Sequence, residues 1–324
     1  MKDHTGPELA LLLVCNGFQI LLLINGFTRK IKKDHLIYLS MLSGGTSKDK
    51  NMIIPPEPEL EDLLQSIGKA GQHLSSMGAC EGAAGNISVC TRWQLDVDGL
   101  FPMISEIELP QAVPELAGST IIVSGSGTRL RDIHCHPTAN LACLVFNAGG
   151  KTARLHKAHD CKFDRITSEF NSHLAVHDHQ MCSSKTNFQA LIHAQPIYLT
   201  YLSHISRYQD AKYLNTHLLR WQPETILNLP EGIGLIPFEV PGSLELMVGN
   251  VTAMQKHWVV IWVKHGVMVR SDVSVERAVD LLEYAETAAH YEYLNLINAE
   301  MADGLTSDEI RTICSTFSIN QQIF

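Results

Sequence analysis

The sequence lacks the features that mark several classes of protein. Its eight cysteines are scattered, and no two of them form a C-x-x-C pair. Scattered thiols in a chain of 324 residues are typical of a reducing compartment, so we expect a cytoplasmic protein with buried free cysteines. The chain has no excess of positive charge: its net charge is −9. This argues against nucleic acid as a partner. No internal repeat is visible.

The N-terminus differs from the rest of the chain. Residues 10–27 are largely apolar and basic residues follow them, but Asn16, Gln19 and Asn25 interrupt the run. Its length is close to the roughly 20 residues of a membrane span, and no small-residue signal-cleavage site stands out. Three interpretations compete: a membrane anchor, an export signal, or a leader that is not integral to the fold. We favour the last and predict a leader and linker at 1–55, followed by one folded domain at 56–324.

Apolar periodicity predicts helices and strands beyond the linker. Leucine, isoleucine and methionine recur at helical spacing from Glu59 to Met77, and a long helix is predicted from Ser274 onward. The segments 140–146 and 152–156 are predicted as a hairpin joined by a glycine turn. Residues 258–263 are apolar throughout, as in a strand that is buried on both faces. Strands interleaved with helices on a two-sided sheet give a three-layer α/β architecture.

Three polar side chains stand where an enzyme could gather them in one pocket. Glu169 is predicted in the first turn of a helix whose N-cap is Thr167 or Ser168. His193 and His265 each follow a strongly apolar strand, where an unpaired imidazole would be costly. Either histidine alone is more simply explained as a hydrogen-bonded core residue. Their shared position at strand ends, followed closely by proline or glycine, favours a functional site.

Other histidines are weaker candidates. The His-Cys-His tract at 134–136 has a spacing that a strand could use for a metal, but the proline after it favours a turn as much, and we treat it as a decoy. His177 and His179 lie in the predicted helix after Glu169, where residues i and i+2 point roughly 200° apart and cannot share an ion. His156 and His159 are predicted to be solvated near a strand end.

The segment Ser124-Gly125-Ser126-Gly127-Thr128 follows a predicted strand. Its backbone N–H groups, its hydroxyls and its lack of bulky side chains suit a phosphate group. Glycine and serine also simply form turns, so this motif by itself decides nothing. The pair Gly85-Asn86 has the same ambiguity.

Several short motifs, taken in their order and spacing, resemble the class II aldolase/adducin family. The resemblance covers residues 59–298, and within the family it points to the branch that cleaves L-rhamnulose 1-phosphate. The motifs that carry it are Gly85-Asn86-Ile87-Ser88, Ser124-Gly125-Ser126-Gly127, Pro137-Thr138-Ala139-Asn140-Leu141, Thr167-Ser168-Glu169, Gly234-Leu235-Ile236-Pro237, Val240-Pro241-Gly242, Met254-Gln255-Lys256-His257 and His265-Gly266-Val267. The resemblance implies an α/β/α sandwich with a central, mostly antiparallel sheet, and a cyclic homotetramer.

The same resemblance implies reversible retro-aldol cleavage of L-rhamnulose 1-phosphate, or a similar ketose 1-phosphate, to dihydroxyacetone phosphate and L-lactaldehyde. It assigns Glu169 as the general base and acid, and His193 and His265 as ligands of a divalent ion, most simply Zn²⁺. The phosphate-binding positions that it matches are Asn86, Ser126, Gly127, Thr167 and Ser168. A cation would spread the charge that carbon–carbon cleavage leaves beside a carbonyl, and a carboxylate would move the proton.

One departure concerns the metal site. The family pattern is His-x-His at the end of the strand, whereas this chain has His193-Ala194-Gln195. An amide oxygen is a weaker and harder donor than an imidazole, although His204 or His217 would be available as a replacement. Two alternatives therefore stay open: related phosphosugar chemistry, such as epimerisation, dehydration or decarboxylation, and a metal-free interaction module of the adducin type.

Overall fold

The computed structural model describes residues 57–324 and the backbone of three short N-terminal strands. These strands are β1 (Val14–Asn16), β2 (Gln19–Ile24) and β3 (Phe27–Ile31), and they pair in that order. The chain divides into two compact units, Met1–Ile53 with Ser315–Ser318, and Ile54–Cys314 with Ile319–Phe324. Most of the leader and linker predicted at 1–55 lies outside the described residues, so that division into domains stays a prediction. Among the described residues, no helix is both long enough and apolar enough for a bilayer crossing.

The second unit contains a nine-stranded sheet. Its strands are β4 (Asn86–Thr91), β5 (Met103–Glu108), β6 (Thr120–Ser124), β7 (Leu141–Phe146), β8 (Thr152–Lys157), β9 (Phe188–Ala194), β10 (Gly234–Ile236), β11 (Val259–Trp262) and β12 (Gly266–Ser271). Their order across the sheet is β10-β11-β12-β9-β4-β6-β7-β8-β5. Every neighbouring pair is antiparallel except β10 with β11, which is parallel. The mostly antiparallel sheet and the β7–β8 hairpin are as predicted.

Helices precede, separate and follow these strands along the chain. They are α1 (Leu60–Ser76), α2 (Pro137–Asn140), α3 (Phe170–Ser184), α4 (Ile197–Ser203), α5 (Ala211–Leu218), α6 (Pro223–Asn228), α7 (Leu244–Ala253), α8 (Val275–Ile297) and α9 (Ser307–Thr316). Two helix starts follow from side chains that the sequence shows. The hydroxyls of Ser243 and Ser274 accept from the backbone N–H groups of Leu246 and Arg277, and so begin α7 and α8.

Successive apolar residues of the central strands pack on opposite faces of the sheet, and this explains why helices cover both faces. On β9, Ile192 belongs to the core that includes α1 and α8, whereas its neighbour Leu191 packs on the opposite face with residues of α3 and α7. On β11, Ile261 likewise packs in the core with α1 and α8, and Val260 packs on the opposite face. Because successive strand residues point to opposite faces, an unbroken apolar strand needs a helical layer on each side. The three-layer α/β/α architecture is therefore confirmed.

The start of α3 differs from its prediction by one or two residues. The helix begins at Phe170 with Glu169 at the N-cap, rather than with Thr167 or Ser168 in that position. The reason is tertiary: the backbone N–H of Thr167 donates to the carbonyl of Ser124 at 3.2 Å, which holds this segment extended against the loop after β6. The Thr167 hydroxyl accepts from the N–H of Glu169 at 3.4 Å instead. This shift fixes where the Glu169 carboxylate lies.

The prediction that His156 is solvated is wrong. His156 lies on β8 and is only 1% exposed, with its Nδ1 atom 3.2 Å from a carboxylate oxygen of Asp98. The buried Phe101 lies three residues after Asp98, and its backbone also acts on the His156 imidazole. Burial lowers the pKa of His156, while Asp98 opposes that effect. His159, two residues beyond the strand, is exposed as expected.

The buried carboxylate of Glu286 links α8 to α4. Glu286 accepts hydrogen bonds from the backbone N–H groups of Tyr198 and Leu199, at 2.8 and 2.9 Å, in the first turn of α4. Burial raises the pKa of Glu286 to about 7, and the N–H donors oppose that effect. The folded chain therefore binds more protons than the unfolded chain between pH 4.5 and 7, and stability falls as the pH rises through this window.

We expect this single group to lower the free energy of unfolding by on the order of 3 kcal/mol as the pH rises across that window. Glu286→Gln cannot titrate, so urea denaturation at a series of pH values should show a flatter profile for this variant. Glu276→Gln is the matched control, because Glu276 lies on the same helix with an exposed side chain, and it should keep the wild-type slope. An unchanged slope in Glu286→Gln would assign the pH dependence to other groups.

Candidate active site

All nine residues that the sequence singled out line one cavity of about 140 Å³ at the end of the central strands. They are Asn86, Ser126, Gly127, Thr167, Ser168, Glu169, His193, Gln195 and His265. A second cavity, of about 380 Å³, shares Ser126, Thr167 and Ser168 with it. The two together offer room for a molecule considerably larger than a phosphate ion.

His193 is held at the centre of the sheet. It lies near the end of β9, opposite Asn86 on β4 and Met268 on β12. Its Nδ1 atom is 2.8 Å from the carbonyl of Val267, and a carbonyl can only accept, so Nδ1 carries the proton. In the neutral ring, the lone pair of Nε2 then faces the cavity. A fixed tautomer of this kind is the usual arrangement of a metal-binding histidine.

His265 enters the cavity from the tight turn between β11 and β12. The turn needs Lys264 at a φ of 64°, and its end needs a glycine at 266, because a side chain there would come within 2.5 Å of the carbonyl of Ala194. Burial lowers the pKa of His265, and the neighbouring His193 acts in the same direction. A neutral ring is the form that binds a metal ion.

Trp262 packs against both imidazoles. Its ring stacks on His193 with centroids 4.3 Å apart and lies 5.1 Å from the ring of His265. The indole N–H donates to the side-chain oxygen of Asn250 at 2.7 Å, which fixes the indole itself. From the sequence, Trp262 is recognisable only as part of a buried strand. Its contact with both histidines depends on the turn that brings His265 next to it.

Glu169 completes a cluster with the two histidines. Its carboxylate oxygens lie 3.6 Å from Nε2 of His193 and 3.7 Å from Nε2 of His265. One ligand atom from each of the three residues falls within 4.8 Å of the others. Two ligands held about 2.1 Å from one tetrahedral ion are about 3.4 Å apart, so this spacing fits a divalent cation. Within residues 57–324, no other group of three such side chains converges in this way.

The remaining candidate metal ligands are not part of this cluster. The 134–136 tract lies in an exposed turn before α2. His217 stacks on Tyr213 and its Nδ1 atom lies 2.7 Å from the carbonyl of that residue, and His204 caps α4. Neither replaces the imidazole that the sequence lacks. The cavity wall carries Gln195 at that position instead.

The glycine-serine loop after β6 has fewer available N–H groups than its sequence suggests. The N–H groups of Gly125 and Ser126 donate to the carbonyls of Asn140 and Arg165, at 3.0 and 2.8 Å. Among the described residues the N–H of Gly127 has no acceptor, and Gly127 has a φ of 77°. An anion in the cavity would therefore meet this N–H group together with the Ser126 hydroxyl.

Asn86 has two partners that the sequence analysis did not foresee. Its side-chain N–H donates to Oε2 of Glu169 at 2.9 Å, and its oxygen lies 2.5 Å from Nε2 of His173 on α3. One amide hydrogen remains for a phosphate. The sequence analysis had assigned no role to His173, although His173 and His177 lie four residues apart and therefore on one face of a helix.

Known proteins resemble this chain over most of its length. Residues 65–293 match the family model described as the class II aldolase and adducin N-terminal domain. A rhamnulose-1-phosphate aldolase of Bacteroides thetaiotaomicron is 27% identical over 278 residues, which cover 82% of this chain and 98% of that relative. A rhamnulose-1-phosphate aldolase of Yersinia pestis is 28% identical over 233 residues, or 70% of this chain and 83% of the relative.

Solved structures show the same fold. The sugar-phosphate aldolase of Thermotoga maritima superposes with a TM-score of 0.63 at 24% identity, over 75% of this chain and 99% of its own. An L-fuculose 1-phosphate aldolase gives a TM-score of 0.50 at 19% identity, over 79% and 96%. Identities this low show a shared architecture and leave chemistry to be argued from the residues of this chain.

Proposed function

The chain belongs to the class II aldolase and adducin family, and on that premise we propose that it is a metal-dependent lyase that cleaves a ketose 1-phosphate by a reversible retro-aldol reaction. The observation that carries the proposal is the convergence of Glu169, His193 and His265 in a cavity that also contains the glycine-serine loop. A scaffold protein has no need for a buried carboxylate facing two imidazoles. This arrangement therefore favours an enzyme over an adducin-type interaction module.

The proposed substrate is L-rhamnulose 1-phosphate, with dihydroxyacetone phosphate and L-lactaldehyde as products. The relatives named for that activity support this choice, as does the family pattern in the sequence. We further propose that the protein acts in the cytoplasm as a homotetramer. The cytoplasm is supported by the seven cysteines of the described residues, which are all free, as expected in a reducing compartment.

His193, His265 and Gln195 would hold a divalent ion, for which we propose Zn²⁺. When bound, such an ion stabilises the negative charge that develops on the substrate oxygens during cleavage. The loop at 125–127 and the hydroxyl of Ser168 would hold the phosphate, which fixes the sugar relative to the carboxylate. As the carbon–carbon bond breaks, the hydroxyl of the carbon that becomes the aldehyde must lose its proton. The buried Glu169 carboxylate would take up this proton as general base and deliver it to the other carbon as general acid, and it would reverse both transfers in the condensation direction.

Elemental analysis combined with a cleavage assay tests this proposal. We expect about one divalent ion per chain, release of dihydroxyacetone phosphate from L-rhamnulose 1-phosphate, loss of that release after chelation, and its return when the ion is restored. A metal-containing protein that leaves this substrate intact but converts another sugar phosphate would favour an epimerase, dehydratase or decarboxylase. Absence of metal and of turnover would favour the interaction module.

A further inference from the structure

A line of buried polar side chains extends from the active site into the layer between β4 and α3. It starts at Glu169, whose Oε2 accepts from Asn86 at 2.9 Å, and continues to His173, whose Nε2 lies 2.5 Å from the Asn86 oxygen. Nδ1 of His173 lies 2.7 Å from the hydroxyl of Ser88. Asn86 and Ser88 are two residues apart on β4, so both side chains face the same helix.

The line continues beyond the Ser88 hydroxyl, which also lies 2.7 Å from Nε2 of His177. Nδ1 of His177 is 2.7 Å from the side-chain oxygen of Gln189 at the beginning of β9. Every member of the line is at most 6% exposed. In such buried surroundings, one atom of each contact must carry a hydrogen and the other must accept it, because an unpaired polar atom would be costly.

With the Asn86 amide oriented as in the structure, its N–H toward Glu169, counting hydrogens gives one direction to these bonds. The Glu169 carboxylate accepts from the Asn86 amide, so the Asn86 oxygen must accept, and Nε2 of His173 must carry the proton. Burial lowers the pKa of His173 well below its usual value and that of His177 to about 3, so each ring carries one proton. Nδ1 of His173 must then accept from the Ser88 hydroxyl.

The same count continues to the far end of the line. The hydroxyl of Ser88 has one hydrogen, which it gives to His173, so it must accept from Nε2–H of His177. Nδ1 of His177 is then bare and needs a donor, which only the amide nitrogen of Gln189 can supply. With its oxygen toward His177, the amide nitrogen of Gln189 is buried without a partner. Rotating the Gln189 amide by 180° brings its nitrogen toward His177, so that one of its two hydrogens is donated to the bare Nδ1 of His177. Such a rotation is admissible, because the oxygen and nitrogen of an amide are assigned from the hydrogen-bond network.

We propose that five buried residues form a one-way chain of hydrogen-bond donors that ends on the Glu169 carboxylate and positions it for proton transfer. In order, they are Gln189, His177, Ser88, His173 and Asn86. Four of them do not line the cavity; they are positioning residues that act through Asn86. The inference rests on the proposed role of Glu169, because a carboxylate that moves a proton must be held at one orientation relative to the substrate.

The opposite direction is a distinct and self-consistent state. If Glu169 donated to Asn86, every bond would reverse, the Asn86 amide would be rotated, and both imidazoles would carry the proton on Nδ1. The two directions therefore differ in an observable that does not involve catalysis. A chain that donates toward Glu169 requires the Nε2–H tautomer at both His173 and His177.

Nitrogen NMR of the imidazole rings tests the direction. In protein labelled with ¹⁵N at histidine, we expect protonated Nε2 and bare Nδ1 at both His173 and His177, assigned by loss of their signals in His173→Gln and His177→Gln. Protonated Nδ1 at either ring would overturn the proposal. Because tautomers are observed without substrate, this result stands whether or not the protein cleaves L-rhamnulose 1-phosphate.

Kinetics of Ser88→Ala test the positioning role. Removing this hydroxyl interrupts the chain at its middle and changes little volume, so we expect kcat to fall about 10-fold, with KM and metal content within twofold of wild type. Thr91→Val is the matched control, because it removes a buried hydroxyl of the same strand that lies outside the chain, and it should keep the wild-type kcat. An unchanged kcat in Ser88→Ala would overturn the proposal, whereas an inactive wild-type protein would overturn the proposed function instead.

Discussion

Glu169→Gln is expected to lower kcat by about 1000-fold while the protein keeps its metal ion. A positioned acid–base group contributes about 10²- to 10⁴-fold to a rate, and an amide cannot carry the proton. The glutamine oxygen can still accept the hydrogen bond that Asn86 donates to Glu169 at 2.9 Å, so the shape of the cavity should persist. KM should change little, because the phosphate-binding loop is untouched. Steady-state kinetics and elemental analysis of the same preparation measure both quantities.

The result has two informative contrasts. Glu286→Gln makes the same chemical change at another buried carboxylate, which lies outside the cavity and accepts from backbone N–H groups, and its kcat at neutral pH should match the wild type. If Glu169→Gln loses the metal, and excess metal restores activity, then Glu169 acts as a ligand and its assignment as the acid–base group is wrong. The Glu169 carboxylate lies 3.6 and 3.7 Å from the two imidazoles, which is close enough for it to share an ion with them, so this experiment separates two possible roles.

Local patterns in the sequence predicted most strands of the sheet but not β5 or β12, and the resemblance to the class II aldolase family supplied most of the cavity residues. The apolar strand at 258–263 required two helical layers, and the family motifs brought nine residues from five separate segments to one cavity. Their roles remain predictions, because position in a cavity does not demonstrate a function. The sequence therefore identified which side chains meet, and it placed two of them, His193 and His265, at strand ends.

Long-range contacts account for what the sequence did not reveal. The bond from Thr167 to Ser124 delays the start of α3, and no local propensity encodes it. The polar chain behind Glu169 combines an i, i+2 pair on β4 with an i, i+4 pair on α3, and each pair is visible in the sequence. That Ser88 lies between the two imidazoles is decided by the packing of the helix on the sheet.

Gln195→His is expected to increase the affinity for Zn²⁺ by about 100-fold or more. In an extended strand, residues 193 and 195 share a face, and the structure places Gln195 on the wall of the cavity with His193 and His265. The backbone N–H of Gln195 donates to the carbonyl of Ala79 at 2.6 Å, which anchors this position independently of the side chain. Loss of an outer-shell partner alone typically costs 10- to 100-fold in metal affinity, so a new imidazole ligand should gain at least as much.

Competition with a chromophoric chelator measures this affinity without any assay of turnover. Gln65→His is the control for non-specific binding, because Gln65 lies on the exposed face of α1 and its replacement should leave the affinity unchanged. Imidazole favours zinc, whereas an amide oxygen favours harder ions, so Gln195→His should also raise the preference for Zn²⁺ over Mn²⁺. If neither quantity changes, residue 195 lies outside the coordination shell. The wild-type ion would then be held by His193, His265 and Glu169, and Glu169 could not be free to move a proton until substrate displaced it.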